Sequence, residues 1–260
     1  MRWRSGDAAE ATDSVAVEEP LEIRLGGRRF TLTMRTPGHD EELVAGFLFA
    51  EGFVESGAEI AEIRRVRTKD GTAEPNIVDI ILNVNADSLR ERLSRNFAQT
   101  SSCGMCGKTT IEAITRRITP IAERMTVAPN AIVAMESALR TAQGAFAQTG
   151  GLHAAALFTP NAELIAARED VGRHNAVDKL VGHALAKSMI PARGLVMLVS
   201  GRISFEIAQK AAASGTPVLA ALSAPSSLAI ELADECGLTL VGFIRGESFN
   251  VYTHADRIGG

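Results

Sequence analysis

The chain has 260 residues, of which 46% are hydrophobic and 22% are charged, as in an ordinary globular protein with one large or two modest domains. The formal net charge of −4 argues against a general role in binding nucleic acid or membrane surfaces. Three cysteines are too few for a disulfide framework, which favours a reducing compartment.

Residues 1–20 are rich in Ala, Glu, Asp and Ser and contain no apolar signal-peptide segment. No apolar run approaches the ~20 residues that a membrane-spanning helix needs. We therefore predict that residues 1–20 form a disordered tail and that the protein is cytoplasmic.

An α+β part is predicted for residues 21–100. Alternating apolar residues on both sides of Gly26 and Gly27 indicate a hairpin, and acidic residues before an apolar run indicate a helix that begins at Asp40. The predicted elements are a hairpin over 21–36, a helix from 40 to about 52, a strand pair over 63–68 and 77–84, and a basic amphipathic helix over 88–97.

The segment 101–108 carries two of the three cysteines, Cys103 and Cys106, among glycines and serines. Glycine tolerates unusual backbone conformations, so we predict a mobile loop that presents a sulfur outward. Thr109 and Glu112 form a capping box for a following helix that runs to about residue 118. Lys108 favours the thiolate, which is the reactive form of a thiol.

Three interpretations of this Cys-x-x-Cys motif compete. A structural zinc site normally needs four ligands, and the third cysteine, Cys236, is solitary and predicted to be buried within a helix, so we expect no metal. A thioredoxin-like dithiol is the second interpretation. The third is a sulfur carrier, in which one thiolate holds a transferable sulfur and the other helps to release it. The motif alone does not decide between the last two.

Residues 109–260 are predicted to form an α/β domain, because helical and strand patterns alternate there. In such sheets ligands gather at the carboxyl ends of the strands. The predicted helices are residues 131–143, 175–187, 205–213 and 226–236, and the predicted strands are residues 152–158, 164–167, 195–199, 218–222 and 238–244.

Polar clusters follow two of these strands and open the next helices, at residues 168–175 and 200–204. Arg173, His174 and Arg202 lie in them, and an arginine at a helix N-terminus is suited to binding a phosphate group. Helix capping and surface salt bridges would explain the same residues. A further histidine, His153, begins a strand of small residues, where hydrogen bonding to the backbone is the simpler explanation.

The last cluster, residues 242–252, combines Phe243 and Arg245 beyond the final strand. An aromatic ring beside an arginine could stack on a planar base, although a C-terminal strand packing on the sheet would also explain the pattern. The chain contains neither a Walker A loop nor a G-x-G-x-x-G fingerprint, so a nucleotide-containing ligand would be bound in another way.

Taken together, these stretches resemble the formate dehydrogenase accessory sulfurtransferases, the FdhD family. The resemblance implies a cytidine-deaminase-like mixed sheet with helical crossovers, a smaller N-terminal α+β part and a homodimer. It spans most of the chain from residue 21 onward. The matching segments are residues 36–52, 101–108, 150–155, 169–179, 200–210 and 219–252.

The resemblance also implies a function. A cysteine desulfurase would load sulfur onto Cys103 as a persulfide, with Cys106 assisting, and the protein would pass it to the molybdenum bis(guanine dinucleotide) cofactor before insertion into formate dehydrogenase. GDP-like nucleotides would mimic this cofactor. The segment expected to contact it comprises Phe243, Ile244, Arg245, Gly246, Glu247 and Ser248. We add Arg173, His174 and Arg202 as phosphate or base contacts, oriented by Asp170 and Asp178.

Two alternative functions compete with sulfur transfer. Zinc deaminases carry H-x-E followed by P-C-x-x-C, and His39 and Glu41 formally fit the first motif. However, Ser102 replaces the proline, and His39 precedes a helix at a long separation from the cysteines. A chaperone that shields the cofactor without doing chemistry is the second alternative.

Overall fold

The computed structural model describes residues 1–85, Arg92 and residues 118–259. Several predicted features lie outside the described residues. They are the helix at 88–97 apart from Arg92, the loop at 101–108 with Cys103, Cys106 and Lys108, and nearly all of the helix predicted after that loop.

The N-terminal part is a four-stranded sheet covered by one helix. Its strands are β3 (Glu19–Leu25), β4 (Arg28–Arg35), β5 (Ile60–Arg67) and β6 (Ala73–Leu82), in the order β4-β3-β6-β5, and its helix is α1 (Asp40–Ala50). Gly26 and Gly27 turn the β3-β4 hairpin with φ of 57° and 80°, a region that glycine adopts without strain. Only the β3-β6 pair is parallel. Both predicted strand pairs and the helix are therefore confirmed.

The structure differs from the prediction in the first twenty residues. Strands β1 (Arg2–Arg4) and β2 (Asp7–Ala9) form a small antiparallel hairpin, and β3 already begins at Glu19. The hairpin turns at Ser5 and Gly6, both with positive φ. A Ser-Gly turn of this kind fits the right-handed twist of two short strands, a local signal that the polar composition concealed.

The larger sheet has six strands in the order β12-β11-β10-β9-β7-β8. Strands β9, β10 and β11 run parallel, whereas β7 is antiparallel to both of its neighbours and β12 is antiparallel to β11. The strands are β7 (His153–Phe158), β8 (Leu164–Asp170), β9 (Val196–Val199), β10 (Val218–Ala221), β11 (Thr239–Arg245) and β12 (Ser248–Thr253).

Helices cover both faces of this sheet and make a three-layered domain. Alternate residues of a strand point to opposite faces, so Leu157 packs in the core on one side and Phe158 in the core on the other. The helices are α2 (Pro129–Ala142), α3 (Gly144–Thr149), α4 (Arg173–Ala186), α5 (Phe205–Ala213) and α6 (Ser227–Cys236). The predicted mixed α/β fold is confirmed, and Cys236 is buried, as expected.

The two parts meet where α1 crosses α4. A Cβ atom on Gly46 would lie 1.9 Å from the carbonyl oxygen of Asp178, and one on Gly182 would lie 1.8 Å from that of Glu42. The two helix backbones therefore touch, and no residue larger than glycine fits at either position without moving the helices apart.

The strand directions bring the polar clusters to one edge of the sheet. Strands β8, β9, β10 and β11 all end there, and the antiparallel β7 begins there. This edge, which we call the carboxyl edge, holds residues 170–175, 200–204, 222–226 and 243–248 together with His153. The predicted convergence of the polar clusters is thus a property of the fold.

Candidate functional site

The head of α4 is fixed by a buried ion pair. Asp170 is fully buried and lies 2.7 Å from the ammonium group of Lys179, and it accepts hydrogen bonds from the backbone amides of Gly172 and Thr36 at 2.8 and 3.1 Å. Asn175 reaches across to donate to the carbonyl oxygen of Met34. Asp170 therefore fixes the first turn of α4 and ties it to the N-terminal sheet. It makes no hydrogen bond to the predicted arginine and histidine contacts among the described residues, so its role in orienting them stays a prediction.

Asp178 does not share that role. Its carboxylate lies 2.8 Å from the ammonium of Lys210, which also contacts Glu51 at 2.9 Å. Burial raises the pKa of Asp178 to about 6, against the opposing effect of Lys210. This buried cluster joins α1, α4 and α5 and is structural, so the prediction that Asp178 orients the arginines is wrong.

Arginine side chains with no carboxylate partner in the described part of the chain stand at the carboxyl edge. The Nε atom of Arg173 is buried and has no hydrogen-bond partner there. Arg202 is exposed on the neighbouring loop. Gly201 lies between them, and a Cβ atom at this glycine would approach the ring of His153 to 3.3 Å. The small residue at this position lets the loop pack closely against His153 and Arg173, and the unpartnered Nε–H of Arg173 is a donor that an anion could accept from.

His174 links the first turns of α4 and α5. Its Nε2 atom lies 3.3 Å from the hydroxyl of Ser204 and 3.9 Å from the carboxylate of Glu206. The N-cap residues of α4 and α5, Gly172 and Ser204, make no side-chain capping hydrogen bond. In the first turn of α5, the carboxylate of Glu206 accepts a hydrogen bond from its own backbone amide. In α6, by contrast, Ser226 accepts a bond from the amide of Ala229.

The two histidines of this edge are held in the neutral form. Burial lowers the pKa of His174, and the guanidinium of Arg173 lowers it further. The same two causes, in the same order, lower the pKa of His153. At neutral pH both imidazoles therefore act as hydrogen-bonding groups, and the positive charge beside them belongs to Arg173.

The end of β11, just before the turn to β12, presents an aromatic ring beside an arginine. Phe243 has φ of 56°, a strained value for a bulky residue, and its ring is 37% exposed. The guanidinium carbon of Arg245 lies 5.9 Å from the centroid of that ring. The segment belongs to β11, which confirms the strand interpretation of the sequence, and base stacking on Phe243 stays a prediction.

Of the other residues predicted to contact the cofactor here, three are exposed to solvent and one has a buried side chain. Gly246, with φ of 57°, Glu247 and Ser248 are exposed. Ile244 is only 1% exposed and packs in the core against α2, so its side chain does not reach the surface of the carboxyl edge. The prediction that Ile244 contacts a cofactor stays a prediction, and burial of the side chain restricts such a contact to the main chain.

A groove of about 1090 Å³ runs along α5, and no sequence pattern predicted it. Its floor is formed by Phe205, Gln209 and Ala212. One wall is the end of α1 with residues 49–55 and Arg92, and the other is residues 118–124. Glu206 belongs both to this groove and to the contact with His174. The groove therefore opens beside the carboxyl edge.

The deaminase-like His39 is placed elsewhere. It precedes α1 in a left-handed conformation, and its Nδ1 atom lies 3.2 Å from Glu42 rather than among the strand ends. Across residues 1–85, Arg92 and 118–259, no three His, Cys, Asp or Glu side chains are grouped so that they could hold a metal ion. The same residues include no helix that is both long and apolar enough to cross a bilayer.

Comparison with curated proteins finds close relatives along the whole chain. The chain is 50% identical over 259 residues to the sulfur carrier protein FdhD of Mycolicibacterium paratuberculosis, which covers 98% of this chain and 95% of the relative. It is 50% identical to the sulfur carrier protein FdhD of Streptomyces coelicolor, in a match that covers 99% of this chain and 93% of the relative. The sulfur carrier protein FdhD of Saccharolobus solfataricus is 42% identical, and the match covers 99% of this chain and 96% of the relative.

A solved structure and a family model agree with these relatives. The crystal structure of a protein described as a formate dehydrogenase accessory protein, from Desulfotalea psychrophila, matches with a TM-score of 0.75 and 27% identity, covering 98% of this chain and 95% of that one. The model of the FdhD/NarQ family matches residues 16–259. The chain therefore belongs to the FdhD/NarQ family.

Proposed function

We propose that this protein is a sulfur carrier for formate dehydrogenase maturation and acts as a sulfurtransferase. It takes persulfide sulfur from a cysteine desulfurase onto Cys103 and delivers it to the molybdenum bis(guanine dinucleotide) cofactor. The curated relatives are named sulfur carrier proteins, which supports the carrier role. We further propose that it works in the cytoplasm as a homodimer.

The observation that carries the proposal is the set of unpaired cations at the carboxyl edge. Arg173, Arg202 and Arg245 have no carboxylate partner in the described chain, and the N-cap residues of α4 and α5 beside them make no side-chain capping hydrogen bond. Backbone N–H groups and guanidinium groups are how proteins bind phosphates. Phe243, with Arg245 at its side, offers a stacking surface to a base. The edge therefore fits a ligand with a diphosphate and a purine.

The proposed chemistry uses thiol exchange in two balanced steps. The Cys103 thiolate attacks the outer sulfur of the donor persulfide, a new sulfur–sulfur bond forms, and the donor leaves as its thiolate. The Cys106 thiolate then attacks the Sγ atom of Cys103. The carried sulfur departs as hydrosulfide to the acceptor, and Cys103 and Cys106 are left as a disulfide. Lys108 favours the thiolate form that both steps need.

Replacement of the two cysteines tests sulfur transfer against carriage alone. In cells that lack the native protein, expression of either the Cys103→Ala or the Cys106→Ala variant should not restore formate dehydrogenase activity. Cys236→Ala, which alters a buried cysteine outside the motif, is the matched control and should retain maturation. GDP binding should survive both motif variants, because the carboxyl edge is intact. Full maturation by Cys103→Ala would leave only a chaperone role.

A further inference from the structure

We propose that His153 binds the second half of a guanine dinucleotide, an uncharged group with hydrogen-bond donors and acceptors that is attached to the far side of the diphosphate. The inference rests on the proposed function, because it takes a purine and a diphosphate to occupy the carboxyl edge. It assigns a ligand to a histidine for which the sequence suggested only a bond to the backbone. It also predicts that this edge binds a dinucleotide more tightly than GDP.

The first argument is that the ring of His153 has no partner among the residues that the structure describes. No hydrogen bond or ion pair from those residues reaches its imidazole, which is partly exposed at the surface. The bond to the backbone that the sequence suggested is therefore not formed there, and the ring is available to a ligand. Each of the other four histidines makes a polar contact, and these four are His39, His174, His183 and His254.

The second argument is the direction of this side chain. Alternate residues of a strand face the same side of a sheet, and Ala155 and Leu157, which follow His153 in β7, pack in the core beneath α4 and α5. His153 therefore lies on the face of the sheet that carries the first turns of those helices. A Cβ atom at Gly201 would lie 3.3 Å from the Nδ1 atom of His153 and 3.6 Å from the Cβ atom of Arg173. The imidazole and Arg173 thus flank the same point of the carboxyl edge.

The third argument is the order of the strands. Phe243 belongs to β11, Arg202 follows β9, and His153 begins β7, the next strand beyond β9. Neighbouring strands are about 4.8 Å apart, which places the end of β9 about 10 Å and the start of β7 about 14 Å from the end of β11. A ligand with its base on Phe243 and its diphosphate at Arg202 therefore carries any further group towards His153. GDP has no such group.

The fourth argument is charge. Burial, and after it the guanidinium of Arg173, lower the pKa of His153, so its ring is neutral at neutral pH. A neutral imidazole has one donor and one acceptor, which match the polar groups of an amide or a hydroxyl. A phosphate ester accepts hydrogen bonds and is better bound by the permanently charged Arg173 and Arg202. The edge thus offers cations to the diphosphate and a neutral group to what lies beyond it.

Paired binding measurements test this assignment. The probes are GDP and reduced nicotinamide guanine dinucleotide, in which the diphosphate joins guanosine to an uncharged heterocycle with a carboxamide group. The test variant is His153→Phe, which keeps an aromatic ring and removes its hydrogen bonds, and His153→Gln restores a donor and an acceptor. The matched control is His39→Phe, because His39 lies before α1 and away from the strand ends. Calorimetry gives both affinities, and urea unfolding checks that each variant is folded.

We expect the native protein to bind the dinucleotide more tightly than GDP. His153→Phe should weaken dinucleotide binding about three- to tenfold, the usual contribution of one hydrogen bond, and should change GDP binding by less than about twofold. His153→Gln should recover most of the lost affinity, and His39→Phe should bind both probes as the native protein does.

Three results would overturn the assignment. They are native dinucleotide affinity in His153→Phe, equal weakening of both probes in that variant, and a native protein that binds the dinucleotide no more tightly than GDP. Equal weakening would mean that the histidine acts on the diphosphate or on the fold. In all three cases GDP still binds the native protein, so the proposed function stands. A native protein that binds neither probe refutes the proposed function itself.

Discussion

The arginines of the N-terminal sheet and those of the carboxyl edge are in opposite electrostatic situations. Arg35 is 1% exposed and makes two bonds to Asp40, at 2.9 and 3.1 Å, and Arg65 binds the same carboxylate at 2.9 Å. At the carboxyl edge, Arg173 and Arg202 meet no carboxylate within the described residues.

This difference separates residues that hold the fold from residues that are available to a ligand. Desolvating a charge is costly, so a buried arginine such as Arg35 is tolerated only with its partners in place. An arginine left without a partner keeps its binding capacity for something outside the chain. Mutations in the first group should therefore change stability, and mutations in the second group should change binding.

The largest expected effect is on stability, from Arg35→Ala. Removing Arg35 leaves the buried carboxylate of Asp40 with Arg65 as its ion-pair partner among the described residues. The free energy of unfolding should therefore fall by about 3 kcal/mol, the lower end of the range for a broken buried ion pair. Urea unfolding followed by circular dichroism measures this value, with Arg28→Ala as the exposed control. A loss no larger than that of the control would show that the Arg35 cluster does not stabilise the fold.

Next in size is the effect on binding at the carboxyl edge. Arg173→Ala, Arg202→Ala and Arg245→Ala should each weaken GDP binding by about 1.5–3 kcal/mol, the usual contribution of a hydrogen bond to a charged group. Their free energies of unfolding should stay within about 0.5 kcal/mol of the native value. Calorimetric titration and urea unfolding of the same variants test both statements. Native affinity in all three variants would contradict the site.

Phe243 gives a smaller effect that combines stability and binding. Because its φ of 56° strains any residue with a Cβ atom, Phe243→Gly should be more stable than Phe243→Ala by about 1 kcal/mol. Both variants lose the stacking ring. Their binding free energies for GDP should therefore be equally weakened, by about 1–3 kcal/mol relative to the native protein. Retained affinity in either variant would exclude stacking on Phe243.

The smallest expected effect is a pH dependence that differs between the two regions. Burial and Arg173 lower the pKa of His153 and His174, so the folded protein resists their protonation. Stability should be full above pH 6.5 and should fall as the pH drops below 6.5. Unfolding measurements from pH 8 to pH 5 should show a shallower decline in His153→Gln/His174→Gln. An unchanged slope would contradict the assignment to these histidines.

The pH dependence of the N-terminal sheet lies at lower pH. Burial raises the pKa of Asp40, but hydrogen bonds from Arg35 and Arg65 outweigh burial and hold that pKa below 3.8. The stability that this carboxylate contributes is present above pH 3.8 and is lost as the pH falls through its lowered pKa. Asp40→Asn should therefore alter the acid limb of the stability profile and leave the region around pH 6 unchanged.

Local patterns predicted most of the elements and the convergence of the polar clusters. Alternation around Gly26 and Gly27 predicted the first hairpin, and strand-to-helix order placed Arg173 and Arg202 at strand ends. What the sequence did not predict depends on distant pairing. The bond from the Thr36 amide to Asp170 joins residues 134 positions apart, and the antiparallel β7 lies between two strands that follow it in the chain.

The groove and the buried clusters were missed for the same reason. Lys210, Asp178 and Glu51 come from three different helices or helix ends, and their partnership exists only after those helices pack. The burial of Ile244 between two exposed neighbours, Phe243 and Arg245, reflects the alternation of a strand, in which successive side chains point to opposite faces.

The most direct test of the account is a sulfur chase. Protein loaded with one sulfur on Cys103 is mixed with the molybdenum bis(guanine dinucleotide) cofactor, and the Cys103 peptide is followed by mass spectrometry over time. The account predicts that the sulfur leaves only when the cofactor is present, and more slowly in Arg173→Ala. Sulfur that stays on Cys103, or that leaves at the same rate without the cofactor or with Arg173 replaced, would contradict it.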